Sequence, residues 1–205
     1  CYNRIPVSME VLADLETPVS TYRKLASGPF SYLFESVQGG EKWGRYSIIG
    51  LPCRRLVKVF GRRVEQWCDG RLERREEVPD PLAWLQRYQA RFRAAPAPAL
   101  PVFHGGLVGY FAYDTVRYVE PRLADSCPPD ELGTPDILLL VSDEVLVFDN
   151  LAGTLRLIVN VDPAQEGALA AGKARLAALA ARLREPAEPL PEIDLGGSAE
   201  AAFSA

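Results

Sequence analysis

The amino-acid sequence predicts an α+β fold, in which mainly antiparallel sheets pack with flanking helices. Alternating apolar and polar runs at residues 55–60 and 63–68 flank Gly61, and three strand-like runs at residues 135–141, 145–149 and 154–161 follow one another closely. Helical patterns occur at only a few places between these strands, whereas a parallel sheet needs a helix after nearly every strand. The order of elements therefore favours hairpins with inserted helices over a β-α-β repeat.

One short helix and several strands are predicted in the first part of the chain. The helix covers residues 17–26, with Thr17 as its cap, Pro18 in the first helical position and Gly28 beyond its end. The segment before it is polar and interrupted, and no element is predicted there. The strands are expected at residues 30–36, 45–50, 55–60 and 63–68, with a polar strand after Gly70.

The second part of the chain contains two predicted helices. Asp80-Pro81 begins an amphipathic surface helix that ends before Pro96, and Asp162-Pro163 begins a long alanine-rich helix with leucines at 169, 176, 179 and 183 on one stripe. Strands are expected at residues 135–141, 145–149 and 154–161, and a glycine-rich strand and turn at 103–120. We expect one domain over residues 1–184 and a linker over 185–205, where Pro, Glu, Gly and Ala dominate.

Composition and charge exclude several classes of protein. The 205 residues carry a net charge of −4, so no global basic field attracts nucleic acid. Local arginine clusters alternate with acidic residues, which predicts a solvated sheet face that neutralises itself. No apolar run reaches the roughly 18–20 residues of a membrane span, and no signal-peptide pattern begins the chain. The chain begins at Cys1 without an initiator methionine, so we expect it to be a piece of something longer.

The cysteines indicate reduced thiols in the cytoplasm. Cys1, Cys53, Cys68 and Cys127 contain no pair with zinc-ligand spacing and no dense disulfide pattern. Cys53 and Cys68 could lie near each other if residues 55–60 and 63–68 form a hairpin.

The lone histidine and the glycine motif are weak candidates for chemistry. His104 could act as a general base, but a structural role is favoured, and a single histidine with scattered cysteines argues against Cys-His hydrolysis and multi-histidine metal sites. Gly105-Gly106-x-x-Gly109 lacks the order of a dinucleotide motif and the lysine of a phosphate loop. We expect these glycines to let one strand approach another closely.

Glu35 and Ser36 are the stronger candidates for ligand binding. A carboxylate and a hydroxyl at the end of an apolar strand can bind the ammonium group and the polar periphery of an amino acid. The alternative is that Glu35 pairs with Arg45 or Lys42 at a sheet edge and that Ser36 only ends the strand.

Two longer stretches carry a resemblance to a known family. They are Ser31-Tyr-Leu-Phe-Glu-Ser-Val-Gln-Gly-Gly-Glu-Lys-Trp-Gly-Arg-Tyr-Ser-Ile-Ile-Gly50 and Phe103-His-Gly-Gly-Leu-Val-Gly-Tyr-Phe-Ala-Tyr-Asp-Thr-Val-Arg-Tyr-Val-Glu120. In this order they resemble the N-terminal domain of the large subunit, or component I, of anthranilate synthase. There a Leu-Leu-Glu-Ser element helps to bind tryptophan, the feedback inhibitor, and this chain has Leu33-Phe34-Glu35-Ser36. The resemblance implies a tryptophan-binding role for Glu35 and Ser36, and for Arg45, Tyr46 and Ser47 on the adjoining segment.

The resemblance also implies a reaction, partners and a fold. The family converts chorismate and glutamine-derived ammonia to anthranilate and pyruvate in tryptophan biosynthesis. It depends on Mg²⁺, and a glutamine amidotransferase subunit, component II, supplies the ammonia. The catalytic and magnesium-binding residues belong to a C-terminal chorismate-binding domain, so no catalytic or metal-binding residue is expected here and the chain alone should be inactive. The implied fold has two packed sheets that both halves of the large subunit form together.

Two other functions stay open at this point. Aminodeoxychorismate synthase component I, of the folate pathway, shares the N-terminal pattern and holds tryptophan structurally, although residues 39–47 are more similar to the anthranilate branch. A self-standing small-molecule-binding domain without catalysis is the other alternative. The start of the chain distinguishes an enzyme component from such a self-standing domain, because a natural stand-alone protein should begin with methionine.

Overall fold

Two five-stranded antiparallel sheets form the described part of the protein. The computed structural model describes residues 1–37, 43–123, 130–186 and 189, so most of the predicted linker, Cys127 and Lys42 lie outside the described residues. The strands are β1 (Ile5–Leu12), β2 (Tyr32–Val37), β3 (Trp43–Gly50), β4 (Arg55–Phe60), β5 (Arg63–Cys68), β6 (Arg71–Glu77), β7 (Gly106–Phe111), β8 (Ile137–Ser142), β9 (Glu144–Asp149) and β10 (Thr154–Val161).

The two sheets have separate strand orders. The first sheet runs β1-β10-β9-β3-β2, and the second runs β6-β5-β4-β8-β7. The helices are α1 (Pro18–Thr21), which continues as a π-helical turn (Tyr22–Ala26), α2 (Pro81–Gln89) and α3 (Ala168–Leu183), with two 3₁₀ segments at Tyr113–Tyr118 and Pro121–Leu123. This arrangement confirms the predicted α+β fold with mainly antiparallel sheets.

The layers follow from the faces that each sheet buries. One face of the first sheet packs on α3, where Leu146 and Leu157 meet Leu176 and Leu179. The outer face of the second sheet packs on α2 through a cluster that includes Leu85 and Tyr88, together with Val57, Val59, Ile137 and Leu139. Between the sheets lies a smaller cluster of Tyr32, Leu56, Val108 and Leu140. The molecule is therefore a stack of helix, sheet, sheet and helix.

Several local predictions are confirmed. Thr17 caps α1 through a reciprocal pair, in which Ser20 N donates to Thr17 Oγ1 at 3.1 Å and Thr17 N donates to Ser20 Oγ at 2.9 Å. The hairpins β4–β5 and β9–β10 have the expected antiparallel pairing. A Cβ at Gly109 would lie 1.8 Å from the carbonyl oxygen of Leu138 in β8, so this glycine does permit a close strand approach.

Two predictions at the ends of the first sheet are wrong. β1 was not predicted, although its residues alternate between Val7, Met9 and Val11 towards the α3 core and exposed Ser8 and Glu10. In the sequence alone the polar residues of this alternation resemble a loop, and the segment forms a strand because it pairs with β10.

The predicted start of α3 is also wrong. Asp162 accepts a hydrogen bond from Ala164 N at 3.0 Å and closes a local turn, and α3 begins only at Ala168, after Gly167 with a φ of 71°. Of the predicted leucine stripe, Leu176, Leu179 and Leu183 are buried, whereas Leu169 is exposed.

A single residue, Asp143, carries the chain from the second sheet to the first, because β8 ends at Ser142 and β9 begins at Glu144. Asp143 Oδ1 accepts from Arg4 Nε at 3.1 Å and its Oδ2 accepts from Arg55 Nη2 at 2.6 Å. Arg4 precedes β1 of the first sheet, and Arg55 begins β4 of the second. The carboxylate thus ties the two sheets together where the chain crosses between them. We call Asp143, Arg4 and Arg55 the crossing clamp.

We expect Asp143→Ala to lower the free energy of unfolding of this chain by about 2–4 kcal/mol, because two half-buried guanidinium groups lose their charged hydrogen bonds. Urea unfolding followed by circular dichroism measures this change. The matched control is Asp69→Asn, which removes the carboxylate partner of Arg54 from a much more exposed pair and keeps a residue type that tolerates the φ of 49° at this turn, so it should have little effect. Equal midpoints for the two variants would contradict a structural role for the clamp.

Candidate functional site

The predicted ligand-binding residues Glu35 and Ser36 lie on β2, at the open edge of the first sheet. Glu35 pairs with Ser47 of β3, and the register then shifts, so that the next pair is Val37 with Trp43. Ser36 consequently lies opposite three residues of β3. Such irregular pairing at a sheet edge changes the direction of nearby side chains and interrupts further strand pairing.

Strand alternation places Glu35 and Ser36 on different faces of this edge. Glu35 shares a face with Leu33, which packs against the α3-side core. Ser36 shares the other face with Phe34 and with Tyr32, which belongs to the cluster between the sheets. A ligand that contacts both polar groups therefore has to lie along the edge of β2 and cannot rest on a single face.

Glu35 is exposed and makes no hydrogen bond or ion pair with any other described residue. The alternative in which Arg45 is its partner is wrong, because Arg45 donates to Asp149 from Nη2 at 2.8 Å and from Nε at 3.1 and 3.2 Å. Lys42, the other partner considered, lies outside the described residues.

Arg45 and Asp149 form a pair that holds the end of β3 against β9. Asp149 Oδ1 also accepts from the backbone N–H groups of Leu151 and Ala152, at 3.2 and 3.1 Å. The Arg45 guanidinium lies 4.9 Å from the centre of the Tyr46 ring. The hydrogen bond from Arg45 is the main cause that lowers the pKa of Asp149, and the backbone donors add to it.

Ser47 is buried, with 3% of its surface exposed, and Asn150 reaches it from the turn after β9. Asn150 Nδ2 donates to Ser47 Oγ at 3.3 Å and to the carbonyl oxygen of Gly44 at 3.1 Å. Asn150 lies between the predicted strands at 145–149 and 154–161, and nothing in its spacing indicates this contact with residues about 100 positions earlier.

The five predicted residues thus gather at one end of the β2–β3 pair, but in two groups. Glu35 and Ser36 are exposed. Arg45 and Ser47 are held by Asp149 and Asn150, and Tyr46 between them packs on the buried cluster of Val145, Val147 and Ile158. The Phe34 ring lies beside the exposed pair, with 52% of its surface exposed and its centre 4.9 Å from that of Tyr32. The edge therefore offers a free carboxylate, a hydroxyl and an aromatic surface, which suit a small aromatic molecule with an ammonium group.

The other candidates have structural partners. His104 lies in the loop before β7, where its Nδ1 is 3.1 Å from the carbonyl oxygen of Pro101 and its own carbonyl accepts from Asn160 at 2.7 Å. It lines a cavity of about 210 Å³ together with Arg4 and Asp143 of the crossing clamp. Within the described ranges, no three His, Cys, Asp or Glu side chains group closely enough to hold a metal ion.

The thiols and the arginine clusters also have local environments. Cys1, Cys53 and Cys68 are free, and burial raises the pKa of Cys53 to about 11. Glu65, buried in the second sheet, accepts from Arg75 at 3.0 Å and lies 3.3 Å from Arg63, as expected for a self-neutralising sheet face. None of the helices in the described part of the chain is long and apolar enough to cross a lipid bilayer.

Comparison with known proteins identifies close relatives. No protein-family profile matches the chain. It is 58% identical over 195 residues to anthranilate synthase component 1 of Pseudomonas aeruginosa, and the aligned region covers 95% of this chain and 39% of that protein. It is 57% identical over 196 residues to the component 1 of Pseudomonas putida, and the aligned region covers 96% of this chain and 40% of that protein. It is 45% identical over 187 residues to the component 1 of Neisseria meningitidis, and the aligned region covers 90% of this chain and 38% of that protein.

A solved structure shows the same likeness in three dimensions. The fold resembles the crystal structure of anthranilate synthase component I from Streptococcus pneumoniae, with a TM-score of 0.53 and 25% sequence identity. The match covers 86% of this chain and 37% of that one. The chain therefore spans about two fifths of the length of the relatives that it matches.

The pairing of Arg45 with Asp149 predicts a pH-dependent contribution to stability. A carboxyl whose pKa is lowered on folding stabilises the fold above its ordinary pKa of about 3.9, and this contribution is lost as the pH falls through the lowered value. Arg45→Met should raise the pKa of Asp149 towards the ordinary value, as measured by ¹³C NMR of the carboxyl group. The variant should be less stable than the wild type near pH 7, and the difference should shrink below about pH 4.

The control for this titration is Arg91→Met, since the Arg91 guanidinium stacks on Tyr88 at 5.3 Å but has no carboxylate partner among the described residues. That variant should leave the Asp149 titration unchanged. An unchanged Asp149 titration in Arg45→Met would show that the pair is not what lowers this pKa.

Proposed function

This chain belongs to the anthranilate synthase component I family, of whose members it spans about two fifths, and we propose that it is the amino-terminal part of such an enzyme. The observation that carries the proposal is the identity of 58% and 57% to two component 1 chains over almost the whole of this sequence. The similar fold of a solved component I supports it independently.

In this proposal the whole enzyme converts chorismate and glutamine-derived ammonia to anthranilate and pyruvate, and the reaction takes place in the rest of the enzyme. Magnesium would supply electrostatic stabilisation of the reacting groups there. The described residues of this chain offer no group of side chains that fits the ion, so no step of the reaction is assigned to them. Their role is to form the frame and the effector site.

The effector proposed for this chain is tryptophan, bound at the edge of β2. The free Glu35 carboxylate would accept a charge-assisted hydrogen bond from the ammonium group, and the Ser36 hydroxyl would bind the polar periphery. The exposed Phe34 ring would pack against the indole. Arg45, Tyr46 and Ser47 would shape the site from β3, with Arg45 and Ser47 held in place by Asp149 and Asn150.

The remaining partners are a C-terminal chorismate-binding domain of the same chain and a glutamine amidotransferase subunit, component II, all in the cytoplasm. The edge strand β7 supports the first of these, because the two aromatic side chains at its end, Tyr110 and Phe111, are exposed in the described part of the protein. Tyr110, Phe111 and the nearby Tyr113 and Val119 are 42%, 55%, 90% and 72% exposed. An exposed apolar strand edge of this kind marks an interaction surface.

The relatives favour this function over the two alternatives. Relatives that are 58%, 57% and 45% identical to this chain carry the name of anthranilate synthase component 1, which supports the anthranilate branch over aminodeoxychorismate synthase. They are also much longer than this chain, which supports a part of an enzyme over a self-standing binding domain.

In the full-length enzyme we expect Glu35→Ala and Ser36→Ala to raise the tryptophan concentration for half-maximal inhibition by about ten- to a hundredfold. A hydrogen bond to a charged group contributes roughly 1.5–3 kcal/mol, which corresponds to that range of affinity. Dose-response curves at fixed chorismate, each normalised to the uninhibited rate of the same variant, measure the change.

Two matched controls separate a local effect from a general one. Glu73→Ala removes an exposed carboxylate from β6, the edge strand of the second sheet, and Ser8→Ala removes an exposed hydroxyl from β1, at the far edge of the first sheet. Both should keep the wild-type curve. If the Glu35 and Ser36 variants also keep it, the edge of β2 is not the effector site.

We further expect the 205-residue chain alone to be inactive with chorismate, Mg²⁺ and ammonia, since the proposal places the reacting groups in the rest of the enzyme. Anthranilate fluorescence measures this against a buffer blank and against the full-length enzyme. Turnover by the chain alone would show that the active site lies within it.

A further inference from the structure

A buried hydrogen bond connects the strand of the candidate effector site to the place where the chain crosses between the sheets. The Tyr32 hydroxyl lies 2.8 Å from Ser142 Oγ, and these residues are only 9% and 1% exposed. Tyr32 begins β2, the strand that carries Glu35 and Ser36, and Ser142 ends β8 of the second sheet. The contact therefore joins the first sheet to the second through side chains.

The Tyr32 side chain is held rigidly on β2. Its ring packs across Gly50, its partner on β3, where a Cβ would lie only 1.9 Å from a ring carbon. Burial is the main cause that raises the pKa of Tyr32 to about 12, so the phenol keeps its proton throughout the physiological pH range. A displacement of β2 must then move the hydroxyl as well, because the ring cannot turn away independently.

The other partner, Ser142, is attached directly to the crossing clamp. The next residue, Asp143, accepts hydrogen bonds from Arg4 next to the first sheet and from Arg55 in the second. Glu144, the first residue of β9, accepts two hydrogen bonds from Arg175 of α3, both at 2.8 Å. A shift at Ser142 thus reaches the contacts that set the position of both sheets and of α3.

We propose that the Tyr32–Ser142 hydrogen bond couples occupancy of the β2 edge to the arrangement of the two sheets. This inference rests on the proposed function, since it requires an effector at Glu35 and Ser36. A ligand changes a distant site only if it binds two arrangements of the protein with different affinity. The hydrogen bond makes the position of β2 one of the features that distinguish the two arrangements.

The test uses the full-length enzyme and the variants Tyr32→Phe, Ser142→Ala and the double variant. Tryptophan is titrated calorimetrically into the enzyme alone and into the enzyme saturated with chorismate, without Mg²⁺ and ammonia so that no turnover occurs. The ratio of the two dissociation constants is the coupling between the sites, and it is the same whichever ligand binds first.

In the variants we expect this ratio to change about fivefold in the direction of one, which corresponds to about 1 kcal/mol of coupling free energy. The dissociation constant of tryptophan without chorismate should stay within about twofold of the wild-type value. The double variant should match Ser142→Ala, because that variant already removes the bond to Tyr32 together with the contact of the Ser142 hydroxyl with the Cys53 thiol. It replaces both polar partners with apolar atoms and leaves no buried group unpaired, so it should fold, as a thermal melt verifies.

The matched control is Tyr118→Phe, which removes a half-buried hydroxyl at the end of the 3₁₀ segment Tyr113–Tyr118 that bonds Asp136, the residue before β8, at 2.7 Å. It should keep the wild-type ratio. An unchanged ratio in the folded double variant would overturn the coupling, and so would an equal change in both dissociation constants. If wild-type enzyme binds no tryptophan, the proposed effector site itself is wrong and the coupling is wrong with it.

Discussion

The carboxylate of Asp143 is the constraint on which the arrangement of the two sheets depends. Each sheet buries one face against a helix by ordinary apolar packing, but that packing does not fix one sheet relative to the other. Two apolar clusters that share Ile48 and Phe103 lie on the face of the first sheet away from α3, and Asp143 adds charged hydrogen bonds to Arg4 and Arg55 on its two sides. Its neighbours extend this constraint, since Ser142 bonds Tyr32 and Glu144 bonds Arg175.

The candidate site is an edge whose shape comes from this frame. β2 has a neighbour on one side only, so its position depends on β3 and on the contact of Tyr32 with Ser142. The end of β3 is fixed in turn by Asp149 and Asn150, whereas Glu35 and Ser36 are exposed and make no side-chain hydrogen bond with another described residue. A site of this kind combines a rigid support with an open side, where a ligand or the rest of an enzyme can complete it.

What the sequence could predict was local. The cap at Thr17 and the hairpins depend on residues close together in the chain, and these predictions are confirmed. β1 could not be predicted from its own residues, because it becomes a strand by pairing with β10, about 150 residues later. Asp162 accepts a hydrogen bond from the nearby backbone N–H of Ala164 and forms a turn there, so the helix begins later than predicted. The alternative that pairs Glu35 with Arg45 fails because the order of the strands brings a different partner, Asp149, beside β3.

Amide hydrogen exchange of the full-length enzyme, with and without tryptophan, tests the central claim that the β2 edge and the crossing form one unit. We predict slower exchange at two separate places when tryptophan binds, namely in β2 and at the crossing from Ser142 to Glu144, with little change in α2. Unchanged exchange in β2 would contradict the account, because an effector bound along this edge has to protect the strand that holds it.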